Sequence, residues 1–205
     1  LCALSNRYFE QQISPTDVIW SYAGVRPLLA DESSDARTTT RDFVLEMQTQ
    51  PAPLLTAFGG KITTYRVLAE AAVDRIAEAL GNSHGAWTAK VPLPGGEIVH
   101  ADLTGFIDTL TTRYPWFPRT GLTRLAHHYG TYVDRVLGDA HSLDDLGREL
   151  APSLYERELS YLQAQEWAQT AEDVLWRRTK LGLRAEPNAF ARISEWLAAH
   201  PRHQS

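Results

Sequence analysis

The chain has 205 residues, 43% of them hydrophobic and 22% charged, enough apolar surface for one or two globular domains with a real core. A formal net charge of −5 and a pI near 5.8 exclude a dedicated nucleic-acid binder, whose affinity rests on a basic face. The single cysteine, Cys2, leaves neither an internal disulfide nor a cysteine-rich metal site and fits a reducing compartment, while no apolar run approaches the ~18 residues of a membrane-spanning helix.

The first twelve residues show little periodicity. Ser14-Pro15-Thr16-Asp17 is turn chemistry, and it leads into Val18-Ile19-Trp20-Ser21-Tyr22, a run of β-formers that reads as a strand. Arg26 stands where that strand ends, and Pro27 after it biases its backbone toward extended angles. Residues 31–40 are polar and read as a surface loop; Arg41-Asp42 then open a run in which Phe43, Leu45 and Met47 alternate as in a half-buried strand. A third strand-length run, Ala52 to Phe58, is broken by Gly59-Gly60. From there the period changes to a helix, with Ile62, Tyr65, Ala69, Ala72, Val73, Ile76 and Leu80 at three- and four-residue steps and Gly81 at the expected C-cap.

The junction of strand, glycine pair and helix is the chain's candidate site. A helix N-terminus carrying Lys61, Thr63 and Thr64 presents free backbone N–H groups to an anion or an electron-rich ring. Neither phosphate-binding fingerprint fits it. A P-loop would need glycine at Leu55 and a hydroxyl residue at Ile62, and Gly-x-Gly-x-x-Gly occurs nowhere in the chain. On spacing alone, an ordinary strand-to-helix turn with a solvated lysine competes equally.

Residues 82–96 are rich in Gly, Pro and Ser/Thr and read as a linker, beyond which the pattern is helical throughout. Stripes end at Tyr114-Pro115, at Gly130 and at Gly138, two further helices run from about Leu154 to Trp167 and Thr170 to Leu181, and a last one spans Ala189 to Ala199. Glu166 and Arg178 each extend an apolar stripe and are expected to pair across their helices. His127 and His128 point to different helix faces with no third ligand at a favourable spacing, so no metal site is expected. The resulting fold class is α+β: the end of a mixed substrate-domain sheet and a long helix in residues 1–88, then an all-α C-terminal helical domain in residues 89–205. An isolated pair or trio of strands is marginal, which makes the chain read as a piece of a longer polypeptide.

Three strings, Tyr22-Ala23-Gly24-Val25-Arg26-Pro27-Leu28, Thr40-Arg41-Asp42 and Phe58-Gly59-Gly60-Lys61-Ile62-Thr63-Thr64-Tyr65-Arg66, closely resemble the FAD-dependent glycerol-3-phosphate dehydrogenases of aerobic glycerol metabolism. Leu93-Pro94-Gly95-Gly96, Tyr114-Pro115, the stretch Glu158 to Trp167 and Asp173 to Gly182 are similar, in the same order, to that family's C-terminal helical domain. The Rossmann fingerprint and the rest of the substrate sheet have no counterpart here, so the resemblance is to the carboxy-terminal portion of such an enzyme, expected to be inactive alone.

The resemblance implies FAD as cofactor and hydride transfer from C2 of sn-glycerol 3-phosphate to flavin N5, giving dihydroxyacetone phosphate, with electrons passed on to quinone or, in oxidase relatives, to oxygen. It places Gly59, Gly60, Lys61, Ile62 and Thr63 against the isoalloxazine edge, Arg26 beside the substrate C2 oxygen as the catalytic arginine, and Arg41 and Lys61 as charges toward the substrate or its phosphate. It also implies a cytoplasmic protein completed by the amino-terminal half of the same polypeptide, with peripheral membrane contact and a homodimer as further expectations. Two other readings stay open: a helical structural or interaction module, and another flavin oxidase with a similar substrate sheet.

Overall fold

A computed structural model describes residues 1–25, 42–82 and 85–201. The fold is α+β, as the sequence implies. Along the chain it comprises α1 (Cys2–Ser5), β1 (Phe43–Gln48), β2 (Leu54–Gly59), α2 (Tyr65–Ala79), α3 (Leu103–Arg113), α4 (Arg119–Tyr129), α5 (Val133–Leu137), β3 (Glu149–Ala151), β4 (Leu154–Tyr155), α6 (Glu156–Gln165) and α7 (Ala189–Ala199). Its contacts group into two units, Ser21–Pro92 and a helical unit that joins Leu1–Trp20 to Leu93–Ser205.

In the first unit, β1 and β2 form an antiparallel hairpin in register from Phe43 opposite Gly59 to Gln48 opposite Leu54. The alternation read from the sequence is the observed one: Phe43, Leu45 and Met47 are half-buried and Val44, Glu46 and Gln48 exposed. A short 3-10 turn, Ile62–Thr64, feeds α2, which packs back on the hairpin. Gly81, at φ 70°, closes the helix as expected, and the Asn82 N–H donates back to the Ala77 carbonyl at 2.8 Å. Thr88 ties the segment that follows to α2: its hydroxyl donates to Glu70 at 2.5 Å, and Arg66 donates to the same Glu70 oxygen at 3.4 Å. The Glu70 carboxyl accordingly titrates below the usual carboxylate range, chiefly because of the Thr88 hydrogen bond.

The helical unit holds the core. Asp102 caps α3 by accepting the Gly105 N–H at 3.0 Å, and α3 and α4 pack as a helical hairpin around Leu110, Leu122 and Leu125. Gly130 and Gly138 end α4 and α5 at positive φ, where the sequence places the stops. Gly130 has a second reason to be glycine: a Cβ there would lie 1.8 Å from the carbonyl oxygen of Gly95. That carbonyl accepts the Thr131 N–H at 2.9 Å, so the Leu93-Pro94-Gly95-Gly96 string clamps the end of α4 through its backbone.

Four expectations are corrected. Val18–Tyr22 is not a strand; in the helical unit the Trp20 indole stacks on Trp176, with centroids 4.9 Å apart and planes 12° from parallel. The C-terminal unit is not purely helical, since β3 and β4 pair as a short antiparallel hairpin ahead of α6. The stretch expected as an ordinary helix from Thr170 contains a π-helical turn, Asp173–Arg178, in which the Thr179 N–H reaches back to the Val174 carbonyl at 3.0 Å. Finally, Arg178 donates through Nε to the backbone carbonyl of Glu166 at 2.7 Å instead of pairing with its carboxylate. Burial raises the Glu166 carboxyl above its ordinary value even with Arg178 nearby.

The buried ion pair of the unit is a different one. Glu158, only 3% exposed, accepts from Arg124 at 2.8 and 2.6 Å and from the Tyr129 hydroxyl at 2.8 Å, joining α6 to α4. Arg124 also donates to the Ser153 carbonyl at 2.5 Å. Burial works against the Arg124 charge, but the bond to Glu158 prevails and its pKa is raised; burial and the neighbouring Glu158 charge push the Tyr129 phenol up.

Candidate functional site

The local sequence dictates the turn between β2 and α2. Gly59 and Gly60 take φ values of 69° and 95°, which side-chain-bearing residues rarely adopt, and so reverse the chain within two residues. Gly60 is also sterically confined: a Cβ would lie 3.2 Å from Leu68 of α2 and 3.3 Å from the Phe43 Cβ on β1. Lys61 is extended (φ −88°, ψ 149°), and its carbonyl accepts both the Thr64 N–H at 2.9 Å and the Thr64 hydroxyl at 2.8 Å. Thr64 thus ties the helix start to the turn through the Lys61 carbonyl, a local side-chain-to-backbone bond typical of threonine at a helix start.

The backbone N–H groups of Ile62 and Thr63 precede the first bond of the 3-10 turn, at the helix end where the macrodipole favours negative charge. Lys61, Ile62 and Thr63 are all exposed. Gly59, Gly60, Lys61, Ile62 and Thr63 therefore form one continuous element: a bare backbone turn, a cation, and a pair of donors. That donor set suits the electron-rich, carbonyl-bearing edge of a flavin ring, and the turn carries no Cβ that would obstruct a planar group. Arg26 and Arg41, the two substrate-side arginines of the sequence analysis, lie outside the described residues.

Elsewhere, both ring nitrogens of His128 lie within hydrogen-bond distance of backbone carbonyls, Arg124 at 3.2 Å and Thr179 at 3.1 Å, so its ring is engaged in packing α4. Among the described residues, no group of His, Cys, Asp and Glu could hold a metal ion, and no helix is long and apolar enough to cross a membrane. The basic run near the π turn is also committed within the fold: Arg177 to Asp173 at 2.8 Å, Arg178 to Glu166, and Lys180 to the Trp176 carbonyl.

The described residues thus form an α+β segment in which a hairpin delivers a glycine turn to a helix N-terminus, followed along the chain by a mostly helical unit. A family model described as the C-terminal domain of alpha-glycerophosphate oxidase matches residues 86–201, and the chain belongs to that family, which is flavin-dependent in general. A glycerol-3-phosphate dehydrogenase of Pseudomonas aeruginosa is 44% identical over 207 residues, which is 100% of this chain and 40% of the relative. A D-erythritol 1-phosphate dehydrogenase of Brucella abortus is 44% identical over 94% of this chain and 38% of the relative, and the aerobic glycerol-3-phosphate dehydrogenase of Escherichia coli is 39% identical over 97% and 40%. The chain thus spans about two fifths of the length of these relatives.

Proposed function

We propose that this chain is the carboxy-terminal part of an FAD-dependent dehydrogenase of glycerol 3-phosphate, yielding dihydroxyacetone phosphate and passing electrons to a quinone. The observation that carries the reading is the turn itself: two glycines at positive φ, an extended Lys61 and N–H groups at Ile62 and Thr63 with no hydrogen-bond partner among the described residues, in a chain of the glycerophosphate oxidase family. FAD, when bound, supplies the hydride acceptor. Ile62 and Thr63 would hold the flavin ring through their backbone N–H groups at the helix N-terminus, and the exposed Lys61 ammonium would add a positive charge beside them. Arg26 polarises the C2 oxygen of the substrate, and Arg41 and Lys61 neutralise its phosphate. The amino-terminal part that completes the flavin site, peripheral contact with the cytoplasmic membrane and a homodimer belong to the same proposal.

A second substrate is favoured by a specific observation. The erythritol phosphate dehydrogenase matches this chain at the same 44% identity as the Pseudomonas glycerol phosphate enzyme, so a longer phosphorylated polyol is the competing substrate. The test is a chimera joining the amino-terminal part of the Pseudomonas aeruginosa relative to this chain, assayed with both phosphates. Glycerol 3-phosphate should have the higher kcat/KM, and Lys61→Ala should lose about 2–5 kcal/mol of transition-state stabilisation, as for removal of a charge-assisted contact. Unchanged kinetics in Lys61→Ala would remove that residue from the site, and preference for erythritol phosphate would replace the substrate.

A further inference from the structure

One carbonyl of the glycine turn takes two hydrogen bonds from a single residue. The Lys61 carbonyl accepts the Thr64 N–H at 2.9 Å and the Thr64 hydroxyl at 2.8 Å, which engages both of its lone pairs. The N–H bond is the opening bond of the 3-10 turn Ile62–Thr64 and would form with any residue but proline. The hydroxyl bond depends on the side chain, and it runs against the usual habit of threonine at this place. Thr64 stands at the N-cap of α2 (φ −101°, ψ 8°), where a threonine oxygen normally accepts a backbone N–H of the first helical turn. Here it makes no such cap bond, and the hydroxyl turns back to Lys61.

The consequence lies in the peptide unit that joins Lys61 to Ile62. It is trans, the cis bond among the described residues being Gln50–Pro51, and in a planar trans unit the C=O and the N–H point in opposite directions. Holding the Lys61 oxygen toward Thr64 therefore holds the Ile62 N–H the other way, out of the helix end. Half a turn of this unit, away from the observed Lys61 ψ of 149°, would break both bonds and put an acceptor where the donor stands. Upstream, packing confines the turn, because Gly60 lies close to Leu68 and Phe43; downstream, the Thr64 hydroxyl supplies the second hold. Bonds accepted by a carbonyl also polarise the N–H of the same peptide unit, which makes it the better donor. We infer that the Thr64 hydroxyl is the positioning group of the turn: it fixes the Lys61–Ile62 peptide so that an electron-rich ring edge meets an N–H donor and not a carbonyl. The ring edge rests on the flavin reading given above, whereas the hold on the peptide stands without it.

The test has two arms, with Thr64→Val and Thr64→Ala lacking the hydroxyl and Thr64→Ser keeping it. In the 205-residue chain without flavin, hydrogen exchange of the residue 64 amide reports how often the peptide leaves its observed setting. Its protection factor should fall about tenfold in Thr64→Val and Thr64→Ala and stay within about twofold in Thr64→Ser, while amides in the middle of α2, such as Ala72, keep theirs. Unchanged protection in Thr64→Val, a Thr64→Ser variant as impaired as Thr64→Val, or a loss shared equally by Ala72 would each overturn the inference. In the FAD-loaded chimera the probe is sulfite, which bonds to flavin N5 and leaves the negative charge at the N1–C2=O edge. Thr64→Val should bind sulfite about threefold more weakly than the parent at equal flavin content, with Thr64→Ser matching the parent. Unchanged sulfite affinity beside the expected loss of amide protection would uphold the hold on the peptide and refute the flavin reading of the turn alone.

Discussion

Replacing Glu158 by leucine should be among the most damaging single changes in the helical unit, and its cost can be worked from the contacts it makes. The carboxylate is 3% exposed and takes three hydrogen bonds, two from Arg124 and one from Tyr129. Leucine removes both acceptor oxygens, and with them all three bonds, and leaves a guanidinium that is itself largely buried, with its Nε lacking a partner among the described residues and only the Ser153 carbonyl remaining. Breaking a buried pair from one side costs ~3–5 kcal/mol, because the surviving charge stays desolvated. Arg124→Met should cost a similar amount, and the double variant Arg124→Met, Glu158→Leu clearly less than the sum, giving a coupling of at least ~2 kcal/mol. Asp108→Ala, which breaks the exposed pair with Arg119, serves as control and should cost ~0–1 kcal/mol. The assay is urea denaturation of the chain followed by far-ultraviolet circular dichroism. A Glu158→Leu variant within 1 kcal/mol of the parent, or additive single changes, would refute the assignment of this pair as the link between α4 and α6.

Asp173 accepts the N–H groups of Gln169 and Thr170 at 3.1 and 3.0 Å while Thr170 accepts its N–H, a reciprocal cap on the π-helical segment. Burial opposes the charge, yet these bonds hold the Asp173 carboxyl below its ordinary value, so its contribution is complete above the unfolded pKa near 3.8 and is lost as pH falls through the lower folded value. Asp173→Ala should therefore cost ~1 kcal/mol at pH 7 and flatten the acid limb of a denaturation series below pH 4. Gly130→Ala should destabilise by about 3 kcal/mol or prevent folding, since its Cβ would collide with the Gly95 carbonyl at a φ of 53°; a thermal midpoint within 2 °C of the parent would contradict this. Trp176→Ala should remove the near-ultraviolet signal of the stacked indoles and leave the α-helical signal intact, whereas an unchanged near-ultraviolet spectrum would dismiss the stack with Trp20.

Much of this fold was legible because local rules and packing agree. Alternation at Phe43, Leu45 and Met47 marks β1, the glycines at 81, 130 and 138 mark helix ends, and α7 runs from Ala189 to Ala199 as its stripe of Ile193, Trp196 and Leu197 requires. What was missed depends on tertiary partners. β3 and β4 are two or three residues each, below any periodicity. Glu158 lies on the same stripe as Tyr155, Leu159 and Leu162, so helix phase alone marks it as buried, whereas Glu166, which extends the same stripe, stands where the helix is already ending. Val18–Tyr22 has the composition of a strand, but Trp20 is used on Trp176 and strand propensity yields to that contact. For the candidate site, the glycine turn and the helix start were readable from Gly59 to Thr64, whereas the role of Thr64 in fixing Lys61 needed coordinates.

The central claim is that the Gly59–Thr63 turn serves a flavin that oxidises a polyol phosphate. It is tested most directly by anaerobic addition of glycerol 3-phosphate to the FAD-loaded chimera while its visible flavin absorbance is recorded. The account predicts rapid bleaching of the flavin band, slowed about 30-fold or more by Lys61→Ala at unchanged flavin content, from loss of at least ~2 kcal/mol at the site. A flavin-loaded chimera whose absorbance does not respond to glycerol 3-phosphate or erythritol phosphate would contradict it.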